Sequence, residues 1–188
     1  LETAVNQVEK VDYTYYESED KAVNVANLVD QIGLNTDKRT IAFTAADGYE
    51  KDEQVDIFRD GYIKITGNHA PMFLSPDIPK GMYVKDVLYV GYGSTSLASI
   101  DSAMKAFTAT TIDGTEGITL AKVIKEAGLI SADKYKLIAI DGYSVEVDAE
   151  ETKNAILYFD GENVVRVSFA NLSGKYSVKY LYKILPIN

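Results

Sequence analysis

The sequence has no cysteine, no tryptophan, a single histidine and only four prolines in 188 residues. Without cysteine there is no disulfide, no thiolate nucleophile, no zinc–cysteine site and no iron–sulfur cluster. No apolar run reaches the ~18 residues that a membrane-spanning helix needs. Positive charge is scarce: 19 Lys and Arg face 28 Asp and Glu, for a net charge of -9. Nucleic acid and anionic membranes would repel such a chain. What the sequence does have is a 46% hydrophobic content, enough for a packed core, and 14 tyrosines. Disorder is not expected from this composition. A Tyr-rich, acidic, cysteine-free chain read from Leu1 rather than from Met is expected to have lost a leader. It is expected to work outside the cytoplasm, as a secreted or cell-surface protein of a Gram-positive-like bacterium.

Three blocks recur in order along the chain. Val25-Ala26-Asn27-Leu28-Val29-Asp30-Gln31-Ile32-Gly33-Leu34 aligns with Leu120-Ala121-Lys122-Val123-Ile124-Lys125-Glu126-Ala127-Gly128-Leu129. Asp47-Gly48-Tyr49 aligns with Asp141-Gly142-Tyr143, and Val84-Lys85-Asp86-Val87 with Val178-Lys179-Tyr180-Leu181. Collinear repetition of this kind marks a duplicated structural unit. The most turn-rich stretch, Gly91 to Ser96, is the expected boundary. It gives two tandem repeats, 1–93 and 94–188.

Each first block reads as an amphipathic helix. Leu120, Val123, Ile124 and Ala127 fall on one stripe, as do Val25, Leu28, Val29 and Ile32. Thr119 is the expected N-cap of the later helix, and Ser18 or Asp20 that of the earlier one. Gly33 and Gly128 close them. Asp141-Gly142 separates two strand-like segments and fits a type I′ hairpin turn, which needs positive φ at both central residues. Asp160-Gly161 splits 155–159 from 164–169 in the same way. Asp60-Gly61 is expected to join a strand at 55–58 to one at 62–65. A strand over 106–112 is expected before the second helix, with 8–16 in its place in the first copy, and 97–105 reads as a short helix. The class is α+β: two β-grasp-like repeats, each one helix packed on a mixed sheet.

The later copy carries Glu126-Ala127-Gly128, then Asp141-Gly142-Tyr143-Ser144, then Gly174-Lys175-Tyr176-Ser177-Val178-Lys179-Tyr180-Leu181. This order resembles the back half of a sulfite-oxidase-like molybdopterin-binding domain, over 110–186. The resemblance implies that family's domain fold. It also sets Arg166 near the family's strand arginine and places Lys179, with its counterpart Lys85, near a cofactor phosphate. These three are the candidate anion-binding or pterin-phosphate residues. The family ligates molybdenum through a cysteine, which this chain lacks. No bound cofactor or metal is therefore expected, and fold alone does not carry activity.

Other residues have plainer readings. His69, in Gly67-Asn68-His69-Ala70-Pro71, is a possible proton carrier but reads first as a polar loop residue. Gly91-x-Gly93 lacks the third glycine of a dinucleotide loop. Asp47, Glu50, Asp52, Glu53 and Asp56 offer oxygen ligands without the spacing of a calcium loop. Tyr13, Tyr15 and Tyr16, with Tyr176, Tyr180 and Tyr182, either pack across strands or form an aromatic ligand platform. The sequence therefore points to a non-catalytic extracytoplasmic binding module. Its partner would be another protein, a glycan or a small anion. The alternatives are a redox accessory protein holding a pterin, flavin or haem, and a metal-free hydrolase.

Overall fold

The structure, a computed structural model, describes residues 1–34, 37, 39–92 and 95–187. The fold is α+β, 43% strand against 24% helix. The described strands form four sheets, and every pairing in them is antiparallel. No described helix is long and apolar enough to cross a membrane. The chain divides into two compact units, Thr3–Ala106 and Phe107–Asn188. They part at Ala106 rather than at 93. Tyr92 pairs with Thr95, and both lie in the first unit. Gly93 and Ser94, where the boundary was expected, lie outside the described residues.

After a short helix α1 (Glu2–Val5), the first unit runs β1 (Lys10–Tyr15), β2 (Ser18–Asn24), α2 (Val25–Ile32), β3 (Thr40–Ala45) and β4 (Glu50–Gln54). It continues with α3 (Val55–Arg59), β5 (Tyr62–Lys64), β6 (Met72–Leu74), β7 (Val87–Tyr92), β8 (Thr95–Ala98) and α4 (Ile100–Ala106). One sheet has the order β1-β2-β5-β6 and the other β4-β3-β7-β8. Helix α2 buries Val25, Leu28 and Val29, the stripe read from the sequence. Its cap is Asn24, whose Oδ1 accepts the Asn27 N–H at 3.1 Å; Ser18 and Asp20 lie in β2 instead. The core centres on three phenylalanines. Phe43 stacks on Phe73 at 4.7 Å between ring centroids, and Phe58 stands 5.5 Å and 5.7 Å from them.

Phe58 also explains a misread element. Residues 55–58 form a helical turn, not the expected strand. Val55 N–H bonds Arg39 O, which starts the turn beside β3, and Phe58 anchors it in the core. A segment of five residues is too short for period 2 and period 3.6 to be told apart.

The second unit runs β9 (Thr110–Ile112), β10 (Thr115–Thr119), α5 (Leu120–Glu126), β11 (Lys134–Ala139) and β12 (Ser144–Asp148). Then come β13 (Ala155–Phe159), β14 (Val165–Phe169), β15 (Val178–Lys179) and β16 (Leu181–Ile187). Its sheets have the orders β15-β14-β13-β10-β9 and β12-β11-β16. Asp113-Gly114, at φ 49 and 77, is the turn joining β9 to β10. A further strand thus separates it from the helix. Thr119 takes the N-cap position of α5 with no side-chain bond, and Gly128 follows the helix at φ 69.

The expectation of one helix on a single mixed sheet is corrected in both units. Each divides its strands between two antiparallel sheets, because its closing strand bends from one sheet into the other. In the first unit Val84 bridges Phe73, Asp86 turns at φ 47, and Val87 pairs with Ala45 of the other sheet. In the second, Val178 pairs with Val167, Tyr180 turns at φ 56, and Leu181 pairs with Ala139. A left-handed residue rotates the strand enough to change sheets, a corner typical of crossed sheet packing.

Candidate binding surfaces

On β1 the side chains alternate, so Tyr13 and Tyr15 share one half-buried face while Asp12 and Thr14 point to solvent. Tyr62 of β5 brings its ring to 5.4 Å from Tyr13. Tyr16, in the β1–β2 turn at φ 54, packs edge-on against Tyr15 at 4.7 Å and is 64% exposed. Tyr83 lies 6.2 Å from Tyr15 and is hydrogen-bonded to Tyr13. Five tyrosines are thus linked ring to ring on one sheet face. Lysines attend both ends: Lys80 Nζ lies 4.6 Å from the Tyr16 ring centre and Lys64 Nζ 5.3 Å from that of Tyr15. Burial, then the neighbouring Tyr83 and Tyr62, hold the Tyr13 phenol above its ordinary value. Burial, then Tyr16 and Tyr83, do the same to Tyr15. Such a surface offers apolar ring area beside phenolic hydroxyls, the mixture that suits a neutral polyhydroxylated ligand. Of the two groups of tyrosines picked out in the sequence, Tyr13, Tyr15 and Tyr16 join here. Tyr180 stands 45% exposed at the sheet corner of the second unit, and Tyr182 follows on β16, its phenol raised by burial.

Lys64, which the sequence reading missed, supports that face. Its ammonium donates to Asp20 Oδ2 at 3.1 Å, Thr66 O at 3.0 Å and Asn68 O at 2.7 Å. Its three N–H donors are therefore all used. Asp20 accepts further bonds from Ser18 Oγ at 2.9 Å and Thr66 Oγ1 at 3.2 Å. Burial pushes the Asp20 carboxyl up, but these hydrogen bonds and the Lys64 charge outweigh it and hold the carboxyl below its usual value. The only sequence signal was a lysine where a strand's apolar residue would be expected.

In the second unit the structure brings two of the three anion candidates together. Arg166 and Lys179 are register partners across β14 and β15. Both reach Asp160 Oδ2, Arg166 at 2.9 Å and Lys179 at 3.4 Å. The Arg166 hydrogen bond, with Lys179 behind it, holds the Asp160 carboxyl low. Two cations sharing one carboxylate leave a positive excess beside the hydroxyls of Tyr158 and Ser168, which are 3.2 Å apart. Lys85 belongs to the first unit, where it is exposed next to the sheet corner.

His69 is at φ 62, and its Nδ1 lies 3.1 Å from Asp86 Oδ2. The other Asp86 oxygen accepts from Lys105 Nζ at 2.9 Å, and Lys105 also reaches Asp101 at 2.8 Å and Ala70 O at 3.1 Å. Burial raises the Asp86 carboxyl, but the bonds from Lys105 and His69 prevail and hold it low. The chain of charges clamps α4 to the loop at 69–71. The histidine–aspartate pair thus takes part in a contact that ties α4 to its neighbouring loop.

The acidic stretch from Asp47 to Asp56 does not converge. It runs through a turn, both faces of β4 and the start of α3. Among the described residues no group of three His, Asp or Glu side chains is placed to hold a metal ion. A molybdenum centre of the resembled kind would need a thiolate, and the chain has none to give. The residues do not fit that group. In comparisons with known proteins, no family model, no curated protein and no solved structure matches the chain.

Proposed function

We propose that this chain is a non-catalytic, extracytoplasmic binding module built from two copies of one α+β unit that share a molybdopterin-domain-like pattern. The duplication is supported by equivalent bonds at a constant spacing. Ala45 N–H bonds Tyr49 O and Ala139 N–H bonds Tyr143 O; Val55 N–H bonds Arg39 O and Ala149 N–H bonds Asp133 O. The 3-10 turns at Lys80–Met82 and Gly174–Tyr176 and the sheet corners at Asp86 and Tyr180 keep that spacing of 94 (80 to 174, 86 to 180).

The observation that carries the binding reading is the five-tyrosine face of the first unit. A ring cluster needed only for packing would be covered, yet Tyr16 is 64% exposed at its rim. The ligand class it favours is a neutral glycan, whose C–H groups lie on ring faces while its hydroxyls meet the phenols. With no tryptophan in the chain, emission comes from its 14 tyrosines, and the substitutions below identify the part that this surface contributes. Titration of the whole chain with neutral oligosaccharides should change that emission saturably, and Tyr15→Ala together with Tyr16→Ala should abolish the change. A chain whose emission responds to no oligosaccharide, or responds equally after both substitutions, refutes the reading.

A second reading, a redox accessory protein holding a pterin or another anionic cofactor, draws on the Arg166–Lys179 pair. Absorbance beyond ~320 nm in protein from its native host, or a fluorescent pterin released on denaturation, would favour it; protein aromatic rings alone absorb at shorter wavelengths.

A further inference from the structure

The five Asp-Gly pairs of the chain stand in different chemical settings. All share one intrinsic reaction. The glycine nitrogen can attack the carboxyl carbon of the aspartate before it, because no Cβ on the glycine blocks the approach. A carboxylate held by hydrogen bonds or cations resists this, and so does an amide N–H already given to a carbonyl. Asp47-Gly48 and Asp141-Gly142 are held twice. Gly48 N–H bonds Ala45 O and Gly142 N–H bonds Ala139 O, each at 3.0 Å. Asp47 Oδ1 accepts the Tyr49 N–H and Asp141 Oδ1 the Tyr143 N–H, each at 2.9 Å. In Asp60-Gly61 the glycine N–H bonds Phe58 O at 3.1 Å, and the glycine lies against the Phe73 ring. Asp160 is held by Arg166 and Lys179.

Asp113-Gly114 has none of these restraints. Ile112 pairs with Thr115 directly around it. Both turn residues are exposed, with φ 49 and 77. Among the described residues no backbone acceptor takes the Gly114 N–H, and no donor or cation holds the Asp113 carboxyl. The turn also opens at little cost. Strand β9 is three residues long, ends its sheet and pairs with β10. Its Thr110 and Thr111 are exposed. An element with so little burial opens without the rest of its unit. Opening matters because Asp113 must rotate out of its turn conformation before its carboxyl carbon can lie over the Gly114 nitrogen.

We propose that Asp113 is a self-modification site, where the side-chain carboxyl condenses with the Gly114 backbone nitrogen and reopens as isoaspartate. The bond from Gly114 N to Asp113 Cγ forms as a Cγ–O bond breaks. The amide proton and the carboxyl hydroxyl leave together as water. A second water then adds to the five-membered imide. Attack at Cγ restores aspartate. Attack at the main-chain carbonyl carbon gives isoaspartate, whose backbone runs through Cβ and Cγ. Atoms and electrons balance, and solvent water is the co-reactant. The added backbone carbon lengthens the two-residue turn, so Ile112 and Thr115 lose their register. Ile118 and Thr119 keep β10 paired with β13. The converted chain thus carries a released β9 and an exposed main-chain carboxylate, the group that an isoaspartate-specific methyltransferase esterifies. The proposal stands apart from the tyrosine face and from the duplication.

The test holds the whole chain in warm neutral buffer made with heavy-oxygen water, beside a second sample unfolded in urea. Each passage through the imide leaves one heavy oxygen, whichever product forms, so peptide mass mapping reads all five sites together. We expect label at Asp113 to build up about tenfold faster than at any other Asp-Gly, the ratio that about 1.4 kcal/mol of easier opening gives. Isoaspartate at that position should accept a methyl group from the isoaspartate-specific enzyme. In urea the five sites should label at similar rates. Label spread evenly over the folded chain, or fastest at another pair, would overturn the proposal. So would a folded chain that labels at none of the five while the urea sample labels at all, because the β9–β10 turn would then be held as firmly as the others. Asp113 still fastest in urea would show that local sequence sets the rate, and would overturn the assignment to the fold.

Discussion

Lys64 Nζ lies 3.1 Å from Asp20 Oδ2, with the two side chains 1% and 6% exposed. Forty-four residues separate them in the chain. The pair connects β2 to β5 and, through the Lys64 bonds to Thr66 O and Asn68 O, fixes the loop that carries His69. Removing one partner of a buried pair leaves the other charged and unpaired, which costs about 3–5 kcal/mol. Lys64→Met and Asp20→Asn should each lower unfolding stability by that order in urea titrations. The double variant should lose clearly less than the sum of the two. Additive losses would show that the contact is not a coupled pair.

The same carboxyl sets an acid limit. Asp20 and Asp86 are held below the ordinary aspartate value of 3.8 when the chain is folded. A depressed folded value means that the unfolded chain binds protons more readily. The stability these groups contribute is fully present above the unfolded value and is lost as pH falls through the lower folded one. The urea midpoint should therefore be flat across mildly acidic pH and drop steeply below about 4, the unfolded carboxyl range. Asp20→Asn should start from a lower midpoint and fall less steeply there. A variant as acid-sensitive as the parent would show that Asp20 plays no part.

Much of the frame was legible in the sequence. The stripes of α2 and α5 and the presence of turns at Asp47-Gly48, Asp141-Gly142 and Asp160-Gly161 are local signals, set by residues close in sequence; the type I′ form expected of Asp141-Gly142 is not the one taken, because only the glycine has positive φ, and the Asp160-Gly161 loop extends to Asn163 at φ 56. What escaped was non-local. Nothing near Asp20 announces Lys64, and nothing in Tyr62 or Tyr83 announces that they join Tyr13 and Tyr15. The antiparallel split of each unit into two sheets turns on the left-handed conformations of Asp86 and Tyr180, neither of them glycine. The misread of 55–58 had a different source, since Val55 and Ile57 alternate like a strand while Phe58 is what the core takes up.

Two glycines should respond differently to the same substitution. Gly142 sits at φ 89 with open space where a side chain would be. Gly142→Ala should cost only its backbone conformation, about 1–2 kcal/mol. Gly91 has no such φ, but an added Cβ would press on Ser96 and on the backbone of Thr95. Gly91→Ala should cost about 1–3 kcal/mol through overpacking. It should also speed amide exchange at Leu97 in β8 and at Ser99 just after it, ahead of the rest of the unit. Unchanged exchange in β8 would mean that the strand tolerates the added methyl group.

The alkaline limit should come from phenols. Burial raises Tyr13, Tyr15 and Tyr182 above the ordinary 10.0, with neighbouring tyrosines adding to the shift for the first two. A raised folded value contributes stability that is complete below the unfolded value and is lost as pH climbs through the folded one. Stability should thus decline above about pH 10, the unfolded phenol range. Lys105, raised from 10.5 by its bonds to Asp101 and Asp86 against the pull of burial, adds to the decline slightly later. Phenolate absorbance should resolve the chain's tyrosines into a main group titrating first and a smaller, later group. Tyr13→Phe should remove one phenol from the late group. If the late group keeps its size in that variant, Tyr13 is not held by the face, and the linked tyrosine cluster is not the tight unit that its ring contacts describe.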